Sequence, residues 1–149
     1  MYRDMKGSMV RFPYVANPEM KLEDAQSYMK ECDIRHLPLV KEDRIVGVVS
    51  ERDILAQKEN DKFEELSLGD IVKNQPFVVN QEEPLTTTLR IMAKSKFGSV
   101  LITDSNSQLV GIFTTTDALI LLENLLNGES EFYQKPGTIV YLKDVAGWN

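Results

Sequence analysis

The feature that most constrains the fold is an internal repeat, because the second half of the chain restates the first in the same order. Residues 13–17 (PYVAN) return as 76–80 (PFVVN), and residues 45–50 (IVGVVS) return as 109–114 (LVGIFT). The offset is about 63 residues early in the repeat and about 64 at its end, and a fixed offset of this size is the signature of a duplicated structural unit. The 149-residue chain is therefore predicted to contain two copies of one small fold.

Each half predicts the same order of elements. A proline opens a short extended piece, apolar residues at helical spacing follow, and two strands and a second helix complete the half. The inner strands are predicted at residues 37–40 and 100–102, and the strands after them end at Val49 and Phe113. Each half is thus a predicted βαββα unit.

The predicted fold class is α/β (α+β). Neither half is long enough to bury its sheet alone, so the two units are expected to pack around a pseudo-twofold axis. The predicted domains are residues 1–65 for the first unit and 66–128 for the second. Residues 129–149 form a C-terminal extension to which the sequence assigns no function.

Composition excludes several classes of protein. Hydrophobic residues make up 42% of the chain, yet no apolar stretch approaches the roughly 20 residues that a membrane-spanning helix needs. A net charge of -6 argues against nucleic acid as a partner, because that partner needs a basic surface. A single cysteine cannot form an internal disulfide, which predicts a reducing cytoplasm.

The most informative motif is a glycine, two apolar residues, a hydroxyl residue, two variable residues and an aspartate. It occurs at residues 47–53 and again at 111–117. The pattern predicts a strand that runs directly into a helix, with the hydroxyl at the N-cap, where free N–H groups favour an anion. An aspartate three residues on is suited to accept hydrogen bonds from a ribose diol. The glycine is expected to let a base or sugar approach the backbone closely.

The same motif has a purely structural interpretation. Ser-x-x-Asp and Thr-x-x-Asp resemble a capping box, which stabilises a helix start without any ligand. The occurrence of the motif at equivalent points of both repeats favours binding, and capping and binding are compatible.

The repeated residues resemble the CBS (cystathionine β-synthase) domains, whose tandem pairs are called Bateman modules. Residues 34–40, 44–47 and 50–53 are similar to the first unit of a bacterial pair, and residues 68–72 are similar to the lead-in to the second. The likeness extends over residues 4–126 and leaves the C-terminal extension unexplained.

The resemblance implies a regulatory module that senses an adenine nucleotide of the AMP, ADP and ATP class, or a related adenosine compound, in the cleft between the units. It implies no catalysis and no catalytic cofactor. Partners are expected to be the adenosine ligand, a second copy in a homodimer and an unidentified regulated protein. The alternative is a structural or oligomerisation module whose clefts are degenerate and empty.

The resemblance also implies a set of site residues. Those of the first half are Tyr14, Val15, Arg35, His36, Leu37, Pro38, Ser50, Arg52 and Asp53. Those of the second half are Phe77, Val78, Gly98, Ser99, Val100, Thr114, Thr116 and Asp117. The aspartates would bind ribose hydroxyls, the hydroxyl residues would lie near phosphate or ribose oxygens, and the strand backbones would border the base. The extended pieces would close the other side of the pocket.

The two halves are expected to bind with unequal affinity. The first half offers Arg35, His36 and Arg52 as phosphate partners, and a guanidinium suits phosphate geometry. The residues aligned with these three in the second half are Phe97, Gly98 and Thr115.

Enzymatic alternatives find little support in the residues. The sequence contains one histidine, His36, which is too few for a histidine cluster that binds a metal ion. It also lacks the activated Ser or Cys nucleophile that a catalytic triad with His36 would need. The sequence contains no Walker-type glycine loop for nucleotide hydrolysis. The remaining enzymatic candidate is a general base at Asp53 or Asp117.

Overall fold

The structure is a computed structural model, and it describes residues 3–73 and 75–128. The predicted C-terminal extension, residues 129–149, lies outside the described residues. Strands and helices are mixed within each half of the described chain, which confirms the predicted α+β class.

The regular elements follow one another in a repeated order. In the first half of the chain they are β1 (Val10–Arg11), α1 (Leu22–Cys32), β2 (His36–Lys41), β3 (Arg44–Ser50), α2 (Glu51–Leu55) and a 3₁₀ turn (Phe63–Glu65). In the second half they are α3 (Leu68–Ile71), β4 (Val78–Asn80), α4 (Leu85–Ser95), β5 (Ser99–Thr103), β6 (Leu109–Thr114) and α5 (Thr115–Leu126).

The predicted βαββα order is complete in the second half, where it runs β4, α4, β5, β6, α5. In the first half the extended piece after Pro13 is not a full strand. It makes one parallel bridge, between Ala16 and Leu39, which corresponds to the β4–β5 pairing of Val79 with Ile102. The α1, β2, β3 and α2 elements follow as predicted.

The compact units of the fold do not follow the order of the chain. Among the described residues, the first unit contains residues 14–73 and 75–76, and the second unit contains residues 3–13 and 77–128. Each repeat therefore begins with a lead-in that packs in the other unit. We call residues 3–12 the first lead-in and residues 66–73 the second lead-in.

Backbone hydrogen bonds hold both lead-ins in the same way. In the second unit, Leu85 N–H donates to Arg3 O at 2.8 Å and Met5 N–H donates to Glu83 O at 2.9 Å. In the first unit, the equivalent bonds run from Leu22 N–H to Leu66 O at 3.1 Å and from Leu68 N–H to Met20 O at 2.9 Å. The exchange of lead-ins is thus a property of both repeats.

Each lead-in ends beside the outer strand of its unit. β1 pairs antiparallel with β6 and completes a four-stranded sheet of order β1-β6-β5-β4. In the first unit Lys73 makes an antiparallel bridge to Val48 of β3. Lys73 therefore occupies the position in the first unit that Val10, opposite Ile112, occupies in the second.

Apolar side chains anchor the lead-ins in two separate cores. Met5 and Leu68 occupy equivalent positions, and both are fully buried. Met5 packs in a cluster with Val100 and Phe113, whereas Leu68 packs in a cluster with Leu37. Burial of such side chains is the main favourable term in attaching each lead-in.

Side chains of the lead-ins pack directly against the two motif glycines. A methyl group on Gly47 would lie 2.5 Å from Val72 Cγ2, and one on Gly111 would lie 2.7 Å from Met9 Cγ. The prediction that the glycines let a base or sugar approach the backbone closely is thus wrong, because residues of the lead-ins occupy the space beside both glycines.

We predict that Gly111→Ala destabilises the protein by about 1–3 kcal/mol, because the added methyl group overpacks the contact with Met9. Denaturant unfolding followed by circular dichroism measures the change. Gly7→Ala is the matched control, since a methyl group at Gly7 would make only ordinary contact, 3.5 Å from Asp4 Oδ1. An equal loss in both variants would contradict the packing of the lead-in against β6.

Candidate functional site

A complete capping box forms where β3 runs into α2. Asp53 N–H donates to Ser50 Oγ at 3.1 Å, and Ser50 N–H donates to Asp53 Oδ2 at 2.9 Å. Two backbone donors at the helix start are satisfied by these bonds. The capping interpretation of the first motif is confirmed.

The second motif forms the same box where β6 runs into α5. Asp117 N–H donates to Thr114 Oγ1 at 3.2 Å, and Thr114 N–H donates to Asp117 Oδ2 at 2.7 Å. The Thr114 hydroxyl also lies 2.9 Å from Asp117 Oδ2 and donates to it. The local structure is therefore common to both repeats.

Both caps use one carboxylate oxygen and leave the other out of the box. Oδ2 accepts the capping bonds in Asp53 and in Asp117. Oδ1 of Asp53 lies 3.9 Å from Lys73 Nζ, a long ion pair. A carboxylate has about four acceptor positions, so capping leaves capacity for further hydrogen bonds.

Both aspartates are half-buried. The side chain of Asp53 is 26% exposed. Burial raises the pKa of Asp117, although the backbone N–H and the hydroxyl of Thr114 act in the opposite direction. Asp117 therefore lies in a less polar environment than an exposed carboxylate.

His36 lies beside the first cap. It pairs with Ser50 across the antiparallel strands β2 and β3 and is half-buried. Burial lowers the pKa of His36, while the nearby Asp53 carboxylate raises it and Arg35 and Arg52 lower it further. The neutral imidazole is thus favoured in the folded protein.

Strand register corrects the alignment of the two halves. Glu51 N–H donates to Arg35 O at 2.8 Å, and Thr115 N–H donates to Gly98 O at 3.1 Å, so Gly98 is the counterpart of Arg35. By the same pairing Ser99 corresponds to His36 and Thr116 to Arg52. The predicted alignment with Phe97 and Gly98 was one residue early, because the second half has no missing residue before β5 and its one extra residue lies in the β5–β6 turn. The alignment with Thr115 was also one residue early, because the motif itself pairs Arg52 with Thr116.

Three predicted site residues direct their side chains into a core. Val15, Leu37 and Val100 are each no more than 1% exposed, so only their backbone is available to a ligand. Pro38 is also buried, and its carbonyl accepts a hydrogen bond from Ala16 N–H at 3.0 Å.

The extended pieces lie next to the inner strands, as the predicted pocket requires. Leu101 N–H donates to Phe77 O at 2.9 Å. The Phe77 ring stacks on Phe97 at 5.1 Å between centroids, and Tyr14 meets Tyr28 edge to face at 5.9 Å. Of the extended pieces, Val78 is 39% exposed.

Lys73 is the site residue that sequence reasoning missed. Its ammonium group lies 3.9 Å from Asp53 Oδ1, and its side chain is 88% exposed. In the sequence its one distinguishing mark is that it directly follows residues 68–72, which resemble the lead-in to the second CBS domain. The swap of lead-ins, which places Lys73 beside Asp53, could not be read from the repeat.

Two negative findings apply to residues 3–73 and 75–128. They contain no group of three or more His, Cys, Asp or Glu side chains that could hold a metal ion. Within the same residues, no helix is long and apolar enough to cross a membrane.

Comparison with known proteins agrees with this architecture. A family model of the CBS domain matches residues 3–59 and again residues 68–124. A crystal structure of a putative acetoin utilization protein (AcuB) from Vibrio cholerae superposes with a TM-score of 0.76 and 29% identity, over 85% of this chain and 95% of that one. The chain belongs to the CBS domain family, with two CBS domains in tandem.

Two further relatives extend the comparison. A structure of CBSX2 in complex with AMP has a TM-score of 0.72 and 25% identity, over 83% of this chain and 98% of that one. An uncharacterised protein of Methanocaldococcus jannaschii, MJ1232, is 30% identical over 110 residues, which are 73% of this chain and 36% of that protein. The chain thus spans about a third of the length of that curated relative.

We predict that the protein loses stability on acidification through the titration of His36. An unfolded histidine has a pKa near 6.5. Because the folded pKa is depressed, the stabilisation is present above about 6.5 and is lost as the pH falls through the folded value. His36→Gln removes this loss, and thermal melts between about pH 7.5 and 5.5 measure it. Identical pH dependence in both proteins would show that His36 titrates as it does in the unfolded chain.

Proposed function

We propose that the protein is a regulatory module that binds an adenine nucleotide, of the AMP, ADP and ATP class, or a related adenosine compound. The observation that carries the proposal is that Oδ2 of each capping aspartate accepts the capping hydrogen bonds whereas Oδ1 accepts none of them, so that Oδ1 would bind a ribose diol. CBSX2, a related structure with 25% identity, is described in complex with AMP, which supports the same ligand class here.

The first unit supplies the groups for a nucleotide. Asp53 would accept hydrogen bonds from the ribose hydroxyls, and the Ser50 hydroxyl lies at the same helix start. Arg35 and Arg52 are exposed and would pair with phosphate, for which the guanidinium is well suited. The backbone of Leu37 and Pro38 would border the base.

The second unit supplies the same ribose-binding group from Asp117 and Thr114. Its strand residues Ser99 and Val100 would border the base through their backbone, and Val78 is the exposed residue of its extended piece. Gly98 and Thr116 complete the predicted set without offering a charge.

We propose no catalysis for this chain, and hence no catalytic cofactor. A general base at Asp53 or Asp117 would show as turnover of the bound nucleotide, so AMP that is recovered unchanged after long incubation with the protein separates binding from catalysis. Binding alone suffices for regulation, since a ligand that favours one conformation shifts the population that a partner protein recognises. A reducing cytoplasm, which the single cysteine favours, is the proposed compartment.

We predict that Asp53→Asn weakens AMP binding by about 1–3 kcal/mol, because a charged acceptor for the ribose hydroxyls is lost. Isothermal titration calorimetry on the full chain measures the change. Asp70→Asn is the matched control, since Ser67 N–H donates to Asp70 Oδ2 at 2.8 Å in a third capping box, at the start of α3, that does not follow a strand.

The control separates the binding role from the capping role. The proposal requires Asp70→Asn to bind AMP like the wild type even if its melting temperature falls. If Asp53→Asn and Asp117→Asn also bind AMP like the wild type while melting lower, both aspartates act only as caps, and the alternative of a structural module with empty clefts stands.

We also propose that the chain forms a homodimer through α5. Four leucines of this helix are largely exposed: Leu119 at 66%, Leu122 at 51%, Leu125 at 51% and Leu126 at 78%. Apolar side chains clustered on one helix in this way are typical of an interaction surface. A second copy presenting the same helix would bury them symmetrically.

The dimer is tested by the double substitution Leu119→Lys and Leu122→Lys. Two charges on this surface are expected to convert a dimer to a monomer in sedimentation equilibrium, because a charge buried without a partner is costly. Glu123→Lys, an exposed change on the same helix, is expected to leave the dimer intact. A wild-type chain that sediments as a monomer at tens of micromolar would refute the proposal.

A further inference from the structure

The two strand-to-helix junctions differ in charge at four of their equivalent positions. The first junction comprises residues 35–36, 50–53 and 73, and the second comprises residues 98–99, 114–117 and 10. Their pairing is fixed by strand register and by the hydrogen bonds of Glu51 and Thr115 to the preceding strand. The charged residues and their counterparts are Arg35 and Gly98, Glu51 and Thr115, Arg52 and Thr116, and Lys73 and Val10.

The formal charges of the junctions are opposite in sign. The first junction has three cations and two carboxylates, a net charge of +1 with neutral His36, whereas the second has only Asp117, a net charge of -1. The ion pair of Arg35 with Glu51 is long, 3.8 Å, and its side chains are 80% and 47% exposed. Such a pair exchanges readily for a better partner, so Arg35 remains available to an anion.

Lys73 removes the main obstacle to a phosphate at the first junction. A carboxylate that binds a ribose diol also repels the phosphate attached to that ribose. The Lys73 ammonium group lies 3.9 Å from Asp53 Oδ1 and is otherwise in solvent, since its side chain is 88% exposed. When ribose hydroxyls take Oδ1, the lysine is free to turn to the phosphate.

The second junction lacks this compensation. Val10, on β1, occupies the position in the second unit that Lys73 occupies in the first, and a valine cannot balance the charge of Asp117. Burial raises the pKa of Asp117, which indicates a less polar environment, where repulsion between like charges is stronger. An uncharged nucleoside would meet the same ribose-binding oxygen without that repulsion.

We infer that the first junction selects phosphorylated adenosine compounds, that the second selects uncharged ones, and that Lys73 is the residue that sets the difference. This inference rests on the proposed function, since it assumes that both aspartates bind ribose. It assigns a role to the exchanged lead-in, which brings the specificity residue to a cap made by the other repeat.

The test compares AMP with adenosine by calorimetry on the full chain, one junction at a time. The substitution Asp117→Asn disables the second junction, so that binding to the first junction is measured alone. There AMP is expected to bind at least about tenfold more tightly than adenosine, the ratio that a charge-assisted hydrogen bond provides. Adding Lys73→Met is expected to lower AMP affinity about tenfold and leave adenosine affinity unchanged, whereas Lys73→Arg keeps the preference.

The substitution Asp53→Asn disables the first junction, so that binding to the second junction is measured alone. There adenosine is expected to bind at least as tightly as AMP. Adding Val10→Lys is expected to move the preference toward AMP. The same AMP-to-adenosine ratio at both junctions, unmoved by Lys73→Met, overturns the inference and leaves the proposed function intact. If the wild type binds neither compound at millimolar concentration, the inference fails, and if it also binds neither ADP, ATP nor S-adenosylmethionine, the proposed function fails with it. Circular dichroism melts confirm that each variant is folded at the temperature of the titration.

Discussion

The structure depends on a carboxylate that fixes the start of one helix in each repeat. At the end of β3 and again at the end of β6, an aspartate three residues into the helix closes a capping box through Oδ2. That bond orients the side chain, since the helix start offers N–H donors that need an acceptor. A carboxylate whose orientation is already fixed loses little rotamer freedom when it binds a ligand, so the cap favours binding by preorganisation. In the proposed function, stability and recognition are therefore linked at one residue in each repeat.

The exchange of lead-ins gives each cap a neighbour from the opposite repeat. Val72 and Met9 fill the spaces beside Gly47 and Gly111, which explains why those positions are glycines. Lys73 follows Val72 and thereby reaches Asp53, whereas Val10 follows Met9 in the second unit. A change of one residue in a lead-in thus alters the electrostatics of a junction whose other residues lie at least twenty positions away in the chain.

The sequence predicted the repeated elements well, for identifiable reasons. A 63-residue repeat, apolar residues at helical spacing and a hydroxyl before each motif helix are local signals, and the α1, α4, β2 and β5 elements follow them. The exchange of lead-ins was not predictable from the sequence. The repeat shows which elements each copy contains, but it does not show in which hydrophobic core the first residues of each copy pack. Because the exchange was not predicted, the glycines were assigned to the approach of a base or sugar, and Lys73 was not identified as a neighbour of Asp53. The one-residue error at Phe97 arose because the sequence spacing allows one residue to be missing before β5, and only strand register shows that none is missing.

The most direct measurement of the central claim is a crystal structure of this chain grown with AMP. The account predicts ribose hydroxyls within about 2.5–3.0 Å of Asp53 Oδ1, the range of an O–H···O hydrogen bond. Ser50 N–H would still donate to Asp53 Oδ2 in the same crystal. A nucleotide bound away from Asp53, or a ribose that displaces Ser50 from the carboxylate, would contradict it.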